Sequence, residues 1–140
     1  MRRRDVFNDL EAKINCMKIA MLIVRTLTGL LFVFASLTYF LNFIQPPEMT
    51  GPIKEFNEGL AASTYFMPLL KGTELVCGIA LIAGRFVPLA LVVLAPIVIN
   101  ILMVHIFLDR AGLPIALYLV AANLFLAYFY RENFSGLLRA

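Results

Sequence analysis

The sequence contains four apolar runs, each close to the length of about 20 residues that a helix needs to cross a lipid bilayer. We place these runs at residues 19–41, 65–83, 87–108 and 113–130. The backbone has no water to bond with inside the hydrocarbon, so runs of this kind must be helical. With 61% hydrophobic residues, the sequence predicts an all-α membrane protein: one domain over residues 1–140, formed by a bundle of four transmembrane helices.

Basic residues lie mainly on one side of these runs. Arg2, Arg3 and Arg4 precede the first run, which is long and lacks a small-x-small cleavage pattern, so we expect a retained helix and not a secretory signal. Further basic residues on the same side are Lys13, Lys18, Arg85, Arg131 and Arg139. By the positive-inside rule, both termini are predicted to be cytoplasmic.

An amphipathic pattern precedes the first run. Its apolar positions recur every three to four residues: Val6, Phe7, Leu10, Ile14 and Met17. This spacing indicates a helix that either lies on the inner membrane surface or extends the first span. The pattern leaves both readings open and favours the extension.

The long connection at residues 42–64 is predicted to carry a short helix of its own. Pro46, Pro47, Gly51 and Pro52 interrupt the chain before a helical pattern at 53–62. Within that pattern Ile53, Phe56 and Leu60 share one face, which indicates an interfacial helix covering the outer end of the bundle. The other two connections are tight turns, so the second, third and fourth spans are expected to be antiparallel neighbours.

Each apolar run is interrupted by a strongly polar residue: Arg25, Glu74, Asn100 and Asn123. Counted from the cytoplasmic ends of the spans, Arg25 lies about 9 Å deep, Asn123 about 12 Å and Glu74 about 16 Å. Ionisable groups in hydrocarbon need partners. We therefore predict an ion pair between Arg25 and Glu74, with Asn123 in the same layer.

A second polar layer is predicted further out. Lys71 lies one turn outward of Glu74, and Asn100 lies about 20 Å from the cytoplasmic side. Pro96 removes a helical hydrogen bond four residues before Asn100. His105 and Asp109 are four residues apart, which favours a hydrogen bond near the outer interface.

The first span carries an interior-facing stripe at a spacing of three to four residues: Arg25, Gly29, Phe32, Ser36 and Tyr39. Its small residues allow a helix or a flat ligand to approach closely. Three tyrosines, Tyr118, Tyr128 and Tyr130, are assigned to interfacial aromatic belts.

Composition argues against several functions. Cys16 and Cys77 form no C-x-x-C pair, so a dithiol oxidoreductase is not expected. A single histidine provides too few ligands for a haem pair or a histidine-rich metal centre. There is no flavin or iron-sulfur signature, and the net charge of +3 does not indicate a nucleic-acid partner.

The chain resembles the DoxX family of small four-helix membrane proteins from Arg25 to Tyr130. The resemblance rests on Arg25-x-x-x-Gly29 followed by Leu-Leu-Phe, on Lys71-Gly-Thr-Glu74-Leu with Gly78 after it, and on His105. It implies a bacterial inner-membrane protein. In some members it implies a subunit of a thiosulfate:quinone oxidoreductase, and in others a membrane partner of redox or stress-protection enzymes.

The leading functional hypothesis is a membrane subunit or accessory protein of a redox system. It would bind a lipophilic molecule, in particular a quinone, in a pocket formed by Arg25, Phe32, Glu74, Asn100 and Asn123, and take electrons from a partner protein. Glu74 is the candidate catalytic residue, as a proton carrier. The candidate ligand-binding residues are Arg25, Gly29, Phe32, Lys71, Asn100, His105 and Asn123.

Two other classes stay open. In a small proton-coupled exporter, which would have to form a homo-oligomer, Glu74 would alternate between substrate and proton. An arginine beside Glu74 would neutralise it, which suits a permanent pair better than a carrier. In a membrane scaffold, the chain would hold a partner complex through its amphipathic amino terminus or its outer loop, and the polar residues would only fix helix register and packing.

Overall fold

The computed structural model describes residues 3–137, and within that range the chain forms helices and connecting turns without a β-strand. The helices are α1 (Arg3–Leu41), α2 (Pro52–Ala62), α3 (Phe66–Ala83), α4 (Val87–Phe107), α5 (Leu113–Phe129) and α6 (Arg131–Leu137), with a 3-10 turn at Arg110–Gly112.

Four of these helices, α1, α3, α4 and α5, are long and apolar enough to cross a membrane. The predicted all-α bundle is therefore confirmed, and the protein is a multi-pass membrane protein. The ends of α3, α4 and α5 fall within one residue of the predicted runs. The side of the membrane on which the termini lie stays a prediction.

Helix α1 is much longer than a membrane span. Its 39 residues extend about 58 Å, nearly twice the thickness of a bilayer core. Every residue from 3 to 20 is exposed, whereas burial begins at Met21. The amphipathic segment is thus a continuous extension of the first span, as the pattern favoured, and it projects beyond the bundle.

The closest helix contact joins α1 to α3 through two glycines. A Cβ atom added to Gly29 would lie 2.8 Å from the carbonyl oxygen of Gly78, and one added to Gly78 would lie 2.9 Å from the carbonyl oxygen of Gly29. Both helices cross backbone to backbone at this point, so the glycine pair fixes their antiparallel register. Small residues serve this purpose in membranes, where lipid tails compete equally well for apolar side chains.

Around this crossing, buried apolar side chains from four helices form the core. Its members are Phe32, Cys77, Leu81, Val87, Ala90, Leu91, Leu94, Val98, Leu119 and Leu126. Only one stripe of each spanning helix is buried, and the remaining apolar surface faces outward, as expected for helices surrounded by lipid.

Helix α2 lies against α3 in the connection between the first two spans, and it confirms the predicted interfacial helix. Pro52 begins it, because the fixed φ of proline suits a first turn and its missing N–H is not needed there. Ile53, Phe56 and Leu60 are half-buried, as their shared face predicted. The end of the bundle near α2 is called the outer end below, and the end near Gly84 the inner end.

Candidate functional site

Arg25 lies at the inner end of the bundle, where three helices meet. Its Nη1 donates a hydrogen bond of 3.0 Å to the hydroxyl of Tyr130, at the end of α5. That hydroxyl in turn donates to the sulfur of Met21 at 3.4 Å. Tyr130 therefore closes a contact between α1 and α5, a role that the sequence-based assignment to an aromatic belt did not include.

The Arg25 guanidinium also packs directly on Gly84. A Cβ atom on Gly84 would lie 2.8 Å from both Nη atoms. Gly84 caps α3 in the left-handed conformation, with φ of 68°, so it needs glycine for its backbone as well as for space. The carboxyl end of a helix carries partial negative charge, which favours a cation there.

Glu74 is paired with Lys71 of the same helix. The ammonium of Lys71 donates to Oε2 of Glu74 at 2.7 Å. The side chain of Glu74 is only 2% exposed, whereas that of Lys71 is 20% exposed. The carboxylate is thus held inside the bundle, and its cation is the member of the pair that reaches the surroundings.

The predicted ion pair between Arg25 and Glu74 is wrong. Arg25 lies opposite Gly84, which is ten residues, or about 15 Å, from Glu74 along α3. Helical side chains also point toward the amino end of their own helix. Since α1 and α3 are antiparallel, Arg25 is directed inward and Glu74 outward toward Lys71, so the two side chains diverge.

Ser36 lies at the same height as the Lys71–Glu74 pair. It follows Gly29 by seven residues, and Lys71 precedes Gly78 by seven, so the antiparallel register places both about 10 Å outward of the glycine crossing. The Ser36 side chain is 0% exposed, and its hydroxyl has no hydrogen-bond partner among residues 3–137. Ser36, Lys71 and Glu74 are called the outer polar layer below.

The two membrane asparagines lie apart from this layer and from each other. Asn123 donates to the carbonyl of Leu91 at 3.4 Å, next to Val92, whose carbonyl has lost its helical donor because of Pro96. Asn100 instead is exposed on the outside of α4. The predicted pocket, in which both asparagines converge with Arg25 and Glu74, does not form, because their helices present them in different directions and at different heights.

The remaining residues of the predicted stripe serve helix packing. Gly29 contacts Gly78, and Phe32 is 4% exposed in the core beside the same glycine. Next to them, the hydroxyl of the buried Thr28 bonds to the hydroxyl of Tyr118 at 3.2 Å, which joins α1 to α5. The sequence did not reveal this bond of Tyr118, because Thr28 lies 90 residues away.

His105 stabilises the turn between α4 and α5. Its Nδ1 is 2.9 Å from the backbone carbonyl oxygen of Asp109, and the Asp109 carboxylate accepts instead from the amide of Ala111 at 3.0 Å. The histidine ring packs against Gly112 so closely that no side chain fits there. His105 and Asp109 are therefore in contact as predicted, but through the backbone carbonyl of Asp109 and not its side chain. The pair lies outside the outer polar layer.

An apolar groove between α3 and α4 was not foreseen. It has a volume of about 620 Å³ and opens on the side of the bundle. Its lining residues are Pro68, Leu69, Gly72, Thr73, Val76, Cys77, Ala80, Phe86, Leu89, Ala90 and Val93. Gly72, around which a Cβ would meet no atom within 4 Å, lies in the wall of this groove.

Residues 3–137 contain no group of three His, Cys, Asp or Glu side chains that could hold a metal ion. The outer polar layer combines a buried carboxylate, a partly accessible ammonium and a buried hydroxyl without a partner in residues 3–137, and it is the candidate site.

Comparison with known proteins gives one match. The DoxX family model matches residues 20–106, which is more than half of the chain and covers the second half of α1, all of α2 and α3, and all but the last residue of α4. No curated protein and no solved structure matches significantly.

Proposed function

Because the chain belongs to the DoxX family, we propose that it is an integral membrane subunit or accessory protein of a redox system in the bacterial inner membrane. Its outer polar layer binds the head group of a lipophilic molecule of the quinone class. The electrons come from a partner redox protein.

One observation carries this proposal: Glu74, 2% exposed, is ion-paired within a membrane-spanning helix, about level with the buried Ser36 hydroxyl, which has no partner within residues 3–137. Removing two charges from water costs several kcal/mol per ion, and an apolar pair of similar volume would hold a helix at least as well. A buried hydroxyl without a partner adds a further cost. Ionisable groups held in a membrane at such cost are typical of ligand and proton pathways.

The chemistry of these three side chains fits a quinone head group. The Lys71 ammonium has three N–H donors and uses one of them on Glu74, so it retains donors for a carbonyl oxygen. The Ser36 hydroxyl has no partner within residues 3–137, so it can donate to a head group that enters the bundle. Reduction of a quinone to a quinol consumes two electrons and two protons. In this proposal Glu74, which is hydrogen-bonded to Lys71, is the group that passes protons to the reduced head group.

The test compares two ion pairs of the same chain. Glu74→Gln keeps the size and hydrogen bonds of the buried member, whereas Glu58→Gln makes the same change in the exposed pair Lys54–Glu58 of α2, at 3.7 Å. Each variant is purified in mild detergent, and bound quinone is measured by mass spectrometry of lipid extracts and by titration with ubiquinone-1. We expect Glu74→Gln and Ser36→Ala to lose most of the bound quinone, and Glu58→Gln to retain it.

The same variants separate the alternatives. If Glu74→Gln, still folded by circular dichroism, binds ubiquinone-1 as the parent does, the quinone site is refuted and a scaffold explains the ion pair better. If the parent binds no quinone but Glu74→Gln abolishes proton-coupled uptake in vesicles, the chain is a transporter.

A further inference from the structure

Asn100 is an exposed amide on an otherwise apolar helix face. It lies thirteen residues after Val87 and seven before Phe107, so it is about 20 Å from one end of α4 and about 10 Å from the other. Its side-chain amide makes no hydrogen bond within the described residues 3–137. Exposed neighbours on α4 are Val92, Val93, Ile99, Met103 and Ile106.

An amide in that position is costly unless it is bonded. Hydrocarbon offers no donor or acceptor, and an unpaired amide there costs several kcal/mol. The asparagine side chain is too short to reach a membrane surface about 10 Å away, unlike a lysine. Asn123, the asparagine in the apolar run of α5, does have a partner inside the chain, the backbone carbonyl of Leu91. The bundle thus satisfies one of its two membrane amides and leaves the other facing outward.

We propose that Asn100 lies at the centre of a homodimer interface, where it bonds to Asn100 of a second copy across a two-fold axis. A carboxamide carries both donors and an acceptor, so it is complementary to itself, as a two-fold interface requires. Asparagine bonds of this kind stabilise helix pairs in membranes.

The surface beside Asn100 fits a helix as its occupant. Leu89 and Val93 line the groove between α3 and α4, and Asn100 lies two turns beyond Val93 on the same stripe of α4. Side chains of a second α4 can pack on this groove while its amide meets Asn100. A lipid acyl chain can fill the groove but has no group to bond with the amide at this depth, which is why we choose the second copy.

Energy transfer between labelled copies tests the proposal, which does not depend on the quinone site. Cys16 is exposed and Cys77 is buried, so maleimide dyes attach at Cys16 of the full chain. Donor- and acceptor-labelled protein are mixed in phosphatidylcholine vesicles at decreasing protein-to-lipid ratios. We expect transfer well above random proximity, and a dissociation constant roughly three- to twentyfold higher for Asn100→Leu.

Two variants serve as controls. Asn100→Gln retains the amide and should retain the dimer, whereas Asn123→Leu removes the amide bonded within the chain and should leave transfer unchanged. The proposal is overturned if transfer in the parent equals random proximity, or if Asn100→Leu, folded by circular dichroism, associates like the parent. It is also overturned if Asn100→Leu no longer binds ubiquinone-1 but still shows the energy transfer of the parent, because the amide then serves the ligand.

Disulfide crosslinking tests where the interface lies. In a Cys16→Ser, Cys77→Ala background, Met103→Cys places a thiol one turn from Asn100 on α4, and Leu124→Cys places one on the exposed side of α5. Oxidation in vesicles should join Met103→Cys pairs much faster. Equal rates would refute an interface built on α4.

Discussion

Gly29 and Gly78 bring α1 and α3 into backbone contact, with space for a hydrogen atom but not for a methyl group on either residue. This contact sets the register of the two helices. It therefore decides which polar residues of α1 and α3 share a height, and it separates Arg25 at the inner end from Glu74 in the outer polar layer.

The glycine contact predicts that alanine substitution affects stability very differently at two glycines of α3. Gly78→Ala should destabilise the bundle by about 1–3 kcal/mol, because the added methyl group meets the backbone of Gly29. Gly72→Ala, also in α3 but with open space around it, should be neutral or stabilising by up to about 1 kcal/mol. Thermal unfolding in detergent measures both, and equal effects would contradict the close crossing.

Gly84 is predicted to be essential for the position of the Arg25 guanidinium. Gly84→Ala should cost about 1–2 kcal/mol for the left-handed backbone alone, and more because its methyl group displaces the guanidinium. The two effects separate in a double-mutant cycle with Arg25→Ala, which removes the clash but not the backbone cost. If Gly84→Ala is equally harmful in both backgrounds, Arg25 does not occupy this position. Gly59→Ala, in α2 with open space around it, is the control and should change stability little.

Replacing one member of the Lys71–Glu74 pair should destabilise the bundle more than replacing both members with apolar residues. Lys71→Met leaves the buried carboxylate without its cation, and we expect a loss of about 3–5 kcal/mol. Replacing both residues, by Lys71→Met with Glu74→Leu, should recover most of that stability. Lys54→Met, in the exposed pair of α2, should change little. Denaturation in mixed micelles measures these differences.

The double variant also bears on function. A folded and stable protein without the Lys71–Glu74 pair should no longer retain quinone, if the pair exists for a ligand. Unchanged quinone content in that variant would show that the ion pair has no part in binding.

Asn123 is expected to contribute little to stability. Its bond to the Leu91 carbonyl is long, at 3.4 Å, and membrane hydrogen bonds between helices average about 0.6 kcal/mol. Asn123→Leu should therefore cost less than about 1 kcal/mol in thermal unfolding. A loss of several kcal/mol would mean that the amide holds the α4 backbone near Pro96 more firmly than this geometry indicates.

The side of the membrane can be checked with the native cysteines. Cys16 is exposed on the projecting part of α1, and Cys77 is buried in the core. If the basic flanks mark the cytoplasmic side, a membrane-impermeant maleimide should label Cys16 in inside-out vesicles but not in intact cells. Labelling in intact cells would reverse the topology, and Cys77 should stay unlabelled in both.

The four membrane spans, the ends of α3, α4 and α5, and the outer helix α2 could be predicted from the sequence, because they depend on local properties. Run length and hydropathy decide whether a segment crosses the membrane, and Gly84 or Pro52 marks an end by its own backbone preference. The family resemblance was also carried by local motifs. The sequence also identified the polar residues within these runs, whose burial in hydrocarbon is costly unless they have partners.

The choice of partners required the tertiary structure. Depths counted along single helices suggested that Arg25 would meet Glu74, but they ignored the direction of the side chains and the register set at Gly29. Partners such as Tyr130 for Arg25 lie 105 residues away in the sequence, and no periodicity within one helix reports such a distance. The outward face of Asn100 was equally hidden, because a helix that is apolar all round does not show which stripe its neighbours cover.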